Sequence, residues 1–383
     1  MHIKTIGLVK FCVALLLCTS TEQASAQKSQ DKKAIWEEIK VYFEPTKDYV
    51  NQFGDYPSVL NDENGNKLHK VEDWPAKRDQ IRAKWMQQMG EWPGYITDQS
   101  FQFLDTTIME GYTQYKVKFR WLPNAETEGY LLVPQQAGKK PAVITVFYEP
   151  ETAIGQGKAD RDFALQLCKR GFVSLSLGTS ETSQNKTYSL YYPTIDDAQI
   201  QPLSTLAYAA ANAWHVLAKH AEVDSEKIGI MGHSYGGKWA MFASCLFDKF
   251  ACAVWSDPGI VFDEHKGAGV NYWEPWYLGY YPPPWKDAWR KTGMVPEAKG
   301  LYPRLMAAGQ DLHELHALMA PRPFLLSGGS SDPEERWIPL NHTIQVNTLL
   351  GYKNRVAMSN RVAHSPDSNS NRIAYLFFEY FLK

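Results

Sequence analysis

The sequence predicts an α/β protein with a mostly parallel central sheet covered by helices on both faces. Three observations carry that prediction. From about residue 140 onward, short apolar runs alternate with helical stretches, the pattern of successive βα units. Ala142–Phe147 (AVITVF) is an unbroken apolar run, as expected of a strand buried on both faces. Gly232-His233-Ser234-Tyr235-Gly236 stands between a strand-like and a helix-like segment, where a chain reversing direction tightly needs small residues.

Ahead of that pattern, residues 27–100 read as an N-terminal helical extension. A short helix is expected at Lys33–Phe43. A longer one follows Asp73, has Pro75 in its first turn, and stops at Gly90, the usual order of start and stop signals. Its Trp74, Ile81, Trp85 and Met89 recur at helical spacing and form one apolar stripe. Phe101–Met109, Tyr115–Trp121 and Gly129–Val133 predict an antiparallel opening to the main domain, which spans residues 101–383. The later strands are expected at 172–177, 227–231, 251–255, 323–327 and 355–359. The helices between and after them are expected at 161–169, 202–219, 237–246, 338–350 and 369–381. A segment at about 262–312 interrupts the alternation. It crowds Trp273, Trp276, Trp285 and Trp289 among prolines, so neither a regular helix nor a central strand fits it. It reads as a lid insertion.

Residues 1–26 carry Lys4 and Lys10, an apolar run from Phe11 to Cys18, and Ala24-Ser25-Ala26. This is the layout of a secretory signal peptide, so the protein is expected to be exported to the periplasm or medium. A rival reading takes Cys18 as a lipoprotein attachment site. No other stretch approaches the roughly 18 apolar residues of a membrane span. With 40 basic and 42 acidic residues, there is no positive surplus for nucleic-acid binding driven by net charge. Beyond the leader, Cys168, Cys245 and Cys252 remain, too few for a disulfide scaffold. His313 and His316 stand three apart, not the four of the metalloprotease helix, and a structural role is expected. No metal and no cofactor is assigned.

The Gly-x-Ser-x-Gly turn is the feature that carries chemistry. A serine hydroxyl is a weak nucleophile and needs a base. In sheets that present serine on such a turn, the partners follow in the order Ser, acid, His. His364, in the loop after the strand at 355–359, is the expected base for Ser234. Asp332, after the strand at 323–327, is the expected acid, with Asp257 after the strand at 251–255 as the alternative. For the oxyanion, the Tyr235 N–H is one expected donor. Tyr148, through its hydroxyl, or the Glu149 N–H is the second.

The elbow Gly-His-Ser-Tyr-Gly-Gly-Lys238 and the run Asp311-Leu-His-Glu-Leu-His-Ala-Leu-Met-Ala-Pro-Arg-Pro323 resemble exported bacterial α/β-hydrolases of the carbohydrate-esterase kind. The similarity is to acetyl-xylan-esterase-like proteins and glucuronoyl esterases, over about residues 100–383. In the latter the elbow resembles Gly-Cys-Ser-Arg-x-Gly-Lys, which implies a sugar contact for Lys238. Here Tyr235 stands in place of the oxyanion-assisting arginine and His233 in place of the cysteine. Prolyl-oligopeptidase-type hydrolases are also similar, but roughly 75 residues before Phe101 cannot build their β-propeller. The reading is an exported serine esterase acting on acyl or uronyl esters of plant or algal polysaccharide, with Trp273 and Trp276 as stacking platforms for sugar. The alternatives are a serine peptidase or amidase using the same residues, and a non-catalytic glycan-binding protein on this fold.

Overall fold

The computed structural model describes residues 30–62, 64–179, 190–194, 197–262, 301, 305 and 307–383. The leader and most of the insertion, with Trp273 and Trp276, lie outside them.

Nine strands form one sheet in the order β1-β2-β3-β5-β4-β8-β9-β10-β11. The antiparallel side comprises β1 (Gln102–Met109), β2 (Tyr112–Leu122) and β3 (Ala125–Pro134). β3 also runs antiparallel to β5 (Val173–Gly178). From β5 the sheet is parallel through β4 (Lys140–Phe147), β8 (Val223–His233), β9 (Cys252–Ser256), β10 (Phe324–Gly328) and β11 (Val356–Asn360). A small hairpin of β6 (Tyr192–Pro193) and β7 (Ala198–Ile200) stands apart.

Among the described residues, a helical segment at residues 30–39 (α1) and seven helices surround the sheet. In chain order the seven are α2 (Trp74–Met89), α3 (Phe163–Lys169), α4 (Pro202–Leu217), α5 (Tyr235–Leu246), α6 (His313–Ala317, a single short turn), α7 (Trp337–Leu349) and α8 (Ser368–Leu382). Strand alternation assigns each face its own core. Ala142, Ile144 and Val146 of β4 pack with α4 and α5 residues such as Leu206 and Trp239. Val143 and Phe147 pack on the other side with Phe163 of α3 and Phe378 of α8. This is why the run at 142–147 is apolar at consecutive positions.

The expected α2 stripe is buried as a unit: Trp74, Ile81, Trp85 and Met89 all face the core. Trp85 also donates its indole N–H to Glu314 Oε2 at 2.8 Å, joining the N-terminal extension to α6. Further along that seam, Asn341 Nδ2 donates to the Tyr49 and Gln52 carbonyls. The three cysteines are buried and free.

In topology, β4 is the switch point: the chain leaves it first toward β5 and then returns to pair β8 on its other side. In open α/β sheets, sites form where strands end at such a reversal.

Candidate active site

Ser234 sits between the last residue of β8 and the first of α5, with φ +58° and ψ −120°. A side chain rarely adopts that backbone region, and strain there is sustained only when the surroundings impose it. Here they do. The Ser234 N–H donates to the Ser256 carbonyl at 2.8 Å, and its carbonyl accepts the Lys238 N–H at 3.0 Å. A Cβ on Gly232 would lie 2.1 Å from the Gly236 carbonyl oxygen, and one on Gly236 would lie 2.2 Å from that of Val146. Neither glycine has room for a side chain, and the turn closes directly over the end of β4.

His364 Nε2 lies 2.8 Å from Ser234 Oγ, and His364 Nδ1 lies 2.6 Å from Asp257 Oδ2. Because a carboxylate accepts, the proton is assigned to Nδ1, which leaves Nε2 to accept from the serine. Asp257 is fully buried, while the histidine stays partly open.

The expected acid, Asp332, is not the residue that reaches His364. Register explains the correction. His233 pairs with Ser256 across β8 and β9, so Asp257, one residue later, lies beside the elbow; Asp332 lies four residues past the end of β10. Asp332 turns inward instead. Its carboxylate accepts the Gly259 and Ile260 N–H groups at 2.6 and 2.7 Å, with Arg336 Nε at 3.4 Å. Burial and the neighbouring Asp257 push its carboxyl above the usual range, opposed by Arg336 and those two N–H groups. Its own N–H donates to Asp257 Oδ1 at 2.8 Å, so this loop holds the Asp257 carboxylate in place. Gly329 allows the approach: a Cβ there would sit 2.5 Å from the Ala363 carbonyl and 2.8 Å from Asp257 Oδ2.

One contributor was not expected from sequence. Arg361, three residues before His364, is buried with its guanidinium spread over the histidine loop. Nη2 donates to the His364 carbonyl at 2.7 Å and Nε to that of Ser365 at 2.8 Å. Nη1 reaches the Ser327 and Gly328 carbonyls at 2.9 and 3.1 Å. It fixes the loop to the end of β10. An arginine close to a loop histidine was the available signal, but its partners are strand-end carbonyls that no sequence pattern reveals.

The remaining candidates surround the elbow. The Tyr235 N–H belongs to the first turn of α5, where backbone N–H groups and the helix dipole favour negative charge. Tyr148, one residue past β4, stacks on the Tyr235 ring with centroids 5.6 Å apart and planes 6° apart. Lys238 is buried and donates from Nζ to the Gly259 carbonyl at 3.2 Å. His233 lies beside His364, ring centroids 4.7 Å apart, with its Nδ1 near Ser256. Burial, aided by His364, pulls its pKa down to about 2, so it stays neutral. His313 and His316 are buried away from this chemistry. His313 Nε2 donates to the Pro57 carbonyl at 2.8 Å, and His316 packs on Trp255. Among the described residues no group of three or more His, Cys, Asp or Glu could hold a metal ion, and no helix is long and apolar enough to cross a membrane.

With the geometry in view, the likeness to known proteins becomes specific. Residues 209–355 match the prolyl oligopeptidase family, a stretch containing the elbow, β9 and β10. Among solved structures, a glucuronoyl esterase from Solibacter usitatus superposes with a TM-score of 0.63 at 16% identity, covering 85% of this chain and 96% of that one. A CE15 glucuronoyl esterase from Teredinibacter turnerae gives 0.57 at 18% identity, covering 92% and 100%. A putative acetyl xylan esterase from Bacteroides fragilis gives 0.56 at 15%, covering 86% and 87%. No curated protein matches the chain. The fold is that of the α/β hydrolases, with a mostly parallel sheet and helices on both faces.

Proposed function

We propose that this chain is an exported serine hydrolase that cleaves acyl or uronyl esters on plant or algal polysaccharide. The observation that carries the chemistry is the continuous contact from Ser234 Oγ through the His364 ring to Asp257, on a strained elbow. In this reading His364 accepts the Ser234 proton as Oγ attacks the ester carbonyl. The oxyanion forms at the start of α5, within reach of the Tyr235 N–H and the loop bearing Tyr148. His364 then returns the proton to the leaving alcohol, and a water activated by the same imidazole releases the acid from the acyl-enzyme. Asp257 stabilises the imidazolium without taking the proton. The carbohydrate half of the reading draws on the esterases whose fold it shares; export draws on the leader sequence.

A second reading, a peptidase or amidase, is favoured by the prolyl oligopeptidase match over residues 209–355. One experiment separates the two. Wild type and Ser234→Ala are compared on acetyl, feruloyl and methyl-glucuronate carbohydrate esters and on aminoacyl and acyl-peptide amides, alongside labelling by a fluorophosphonate. Ester turnover and labelling that both vanish in Ser234→Ala, with no amide turnover, is the expected result. Turnover confined to amides would establish the second reading, and ester turnover retained by Ser234→Ala would overturn the mechanism.

A further inference from the structure

β3 overhangs its neighbour. It pairs with β5 only at Tyr130–Leu132, so its first residues project beyond the end of β5. Under the overhang lies a cleft of about 480 Å³, within the roughly 300–1,000 Å³ range of small-molecule sites. It opens at the same end of the sheet as the triad and shares a loop with it. Pro150 and Glu151 line the cleft, two and three residues after the tyrosine that stacks on Tyr235. Beside the cleft the backbones pack closely at two of its lining glycines. A Cβ on Gly129 would lie 2.4 Å from the Ser176 carbonyl, and one on Gly178 would lie 2.6 Å from Pro150 N.

The walls indicate what kind of ligand fits. Lys116 pairs with Glu128 at 2.7 Å and Lys118 with Glu126 at 2.5 Å. Tyr130 donates its hydroxyl to Glu151 at 3.1 Å. Two of the three lining glutamates are thus paired with the two lysines, and the third, Glu151, accepts from the Tyr130 hydroxyl. An anionic ligand would have to displace glutamates from both lysines, and a cation would have to displace the lysines from Glu126 and Glu128. A neutral polyhydroxyl ligand needs neither, because each hydroxyl can donate to a carboxylate and accept from an ammonium. The Tyr130 ring adds an apolar face for the C–H side of a sugar.

We propose that this cleft is a subsite for a neutral oligosaccharide segment of the substrate, next to the sugar that bears the scissile ester. The proposal rests on the carbohydrate-ester reading, and its test separates the two. Xylotetraose, cellotetraose and tetragalacturonate are titrated into the Ser234→Ala protein by calorimetry, with and without Glu126→Ala/Glu128→Ala; both carboxylates are exposed, so folding should tolerate their loss. In the catalytic protein, the double variant is assayed on an oligosaccharide-linked ester and on phenyl acetate.

The expected result is saturable binding of a neutral tetrasaccharide that the double variant weakens by about tenfold. A matching rise in KM is expected for the oligosaccharide ester, with no change for phenyl acetate. Tighter binding of tetragalacturonate than of either neutral sugar, or neutral-sugar binding indifferent to the double variant, would overturn the subsite. Indifference in a protein that hydrolyses carbohydrate esters removes the subsite and leaves the enzyme reading standing. Variant-sensitive binding in a protein that hydrolyses none does the reverse.

Discussion

Replacing Asp257 by Asn would keep the shape of the acid but remove the charge that orients His364 and stabilises its protonated form. Turnover should fall by roughly 10³–10⁴-fold. Asp332→Asn should lower turnover far less and lower the melting temperature instead, because its carboxylate holds the backbone at Gly259 and Ile260. Measuring both kcat and thermal unfolding for the two variants distinguishes the roles; a larger kcat loss at Asp332 would restore it as the acid. Arg361 offers a second test. A lysine places a point charge where the guanidinium fork spans several carbonyls, so Arg361→Lys should misplace the imidazole. A kcat loss on the order of 10–100-fold with little change in KM is expected; unchanged kcat would reduce Arg361 to packing. At this scale the meeting of Ser234 and His364 was legible because Gly-x-Ser-x-Gly and chain order constrain it. The carboxylate that meets His364 was not, because the ends of β9 and β10 are both followed by an aspartate, and only register tells which one faces the elbow.

Among elements, α2 was readable in full, from Pro75 at its start to Gly90 at its end, because amphipathic spacing and stop signals agree over sixteen residues. The β6–β7 hairpin was not, since strands of two and three residues have no period to detect. The overhang of β3 was equally hidden: sequence marks a strand but not where its neighbour ends. The packing of α2 is also testable. Trp85→Phe keeps the apolar bulk but strands the Glu314 carboxylate without its indole partner, at a cost of about 1–2 kcal/mol. Trp85→Ala adds a cavity and should cost about 3–5 kcal/mol. Denaturant midpoints at constant slope would measure both. Equal losses would show that the hydrogen bond, not the ring volume, dominates this joint.

For the whole molecule, the buried histidines set an acid limit on stability. Burial pulls His313 and His316 down to about 3 and His233 down to about 2. Each is neutral in the folded chain and takes up a proton readily once unfolded. Their contribution is complete above the ordinary histidine value near 6.5 and is lost as pH falls toward 3. Burial raises Asp311 to about 7, which acts in the opposite sense: its contribution is complete below the ordinary aspartate value and lost as pH rises through 7. Burial also lowers His215, His220 and His342 and raises Asp332, so the lowered histidines outnumber the raised aspartates. The melting temperature should therefore fall steadily between pH 7 and pH 4, and His316→Leu should flatten that slope. A melting temperature independent of pH over this range would overturn this reading, which requires net proton uptake on unfolding.

Asp311 has another bearing, through its partner. Its Oδ1 accepts the Phe262 N–H at 2.9 Å across 49 residues of sequence, so the two ends of the insertion are clasped together. Ser234 and Asp257 precede that clasp and His364 follows it, so the three residues in contact at the elbow lie outside the enclosed stretch. Leu301 and Leu305, inside the stretch, are nonetheless buried in the main core, so a graft meant to test selectivity would have to keep both leucines and the Phe262–Asp311 clasp.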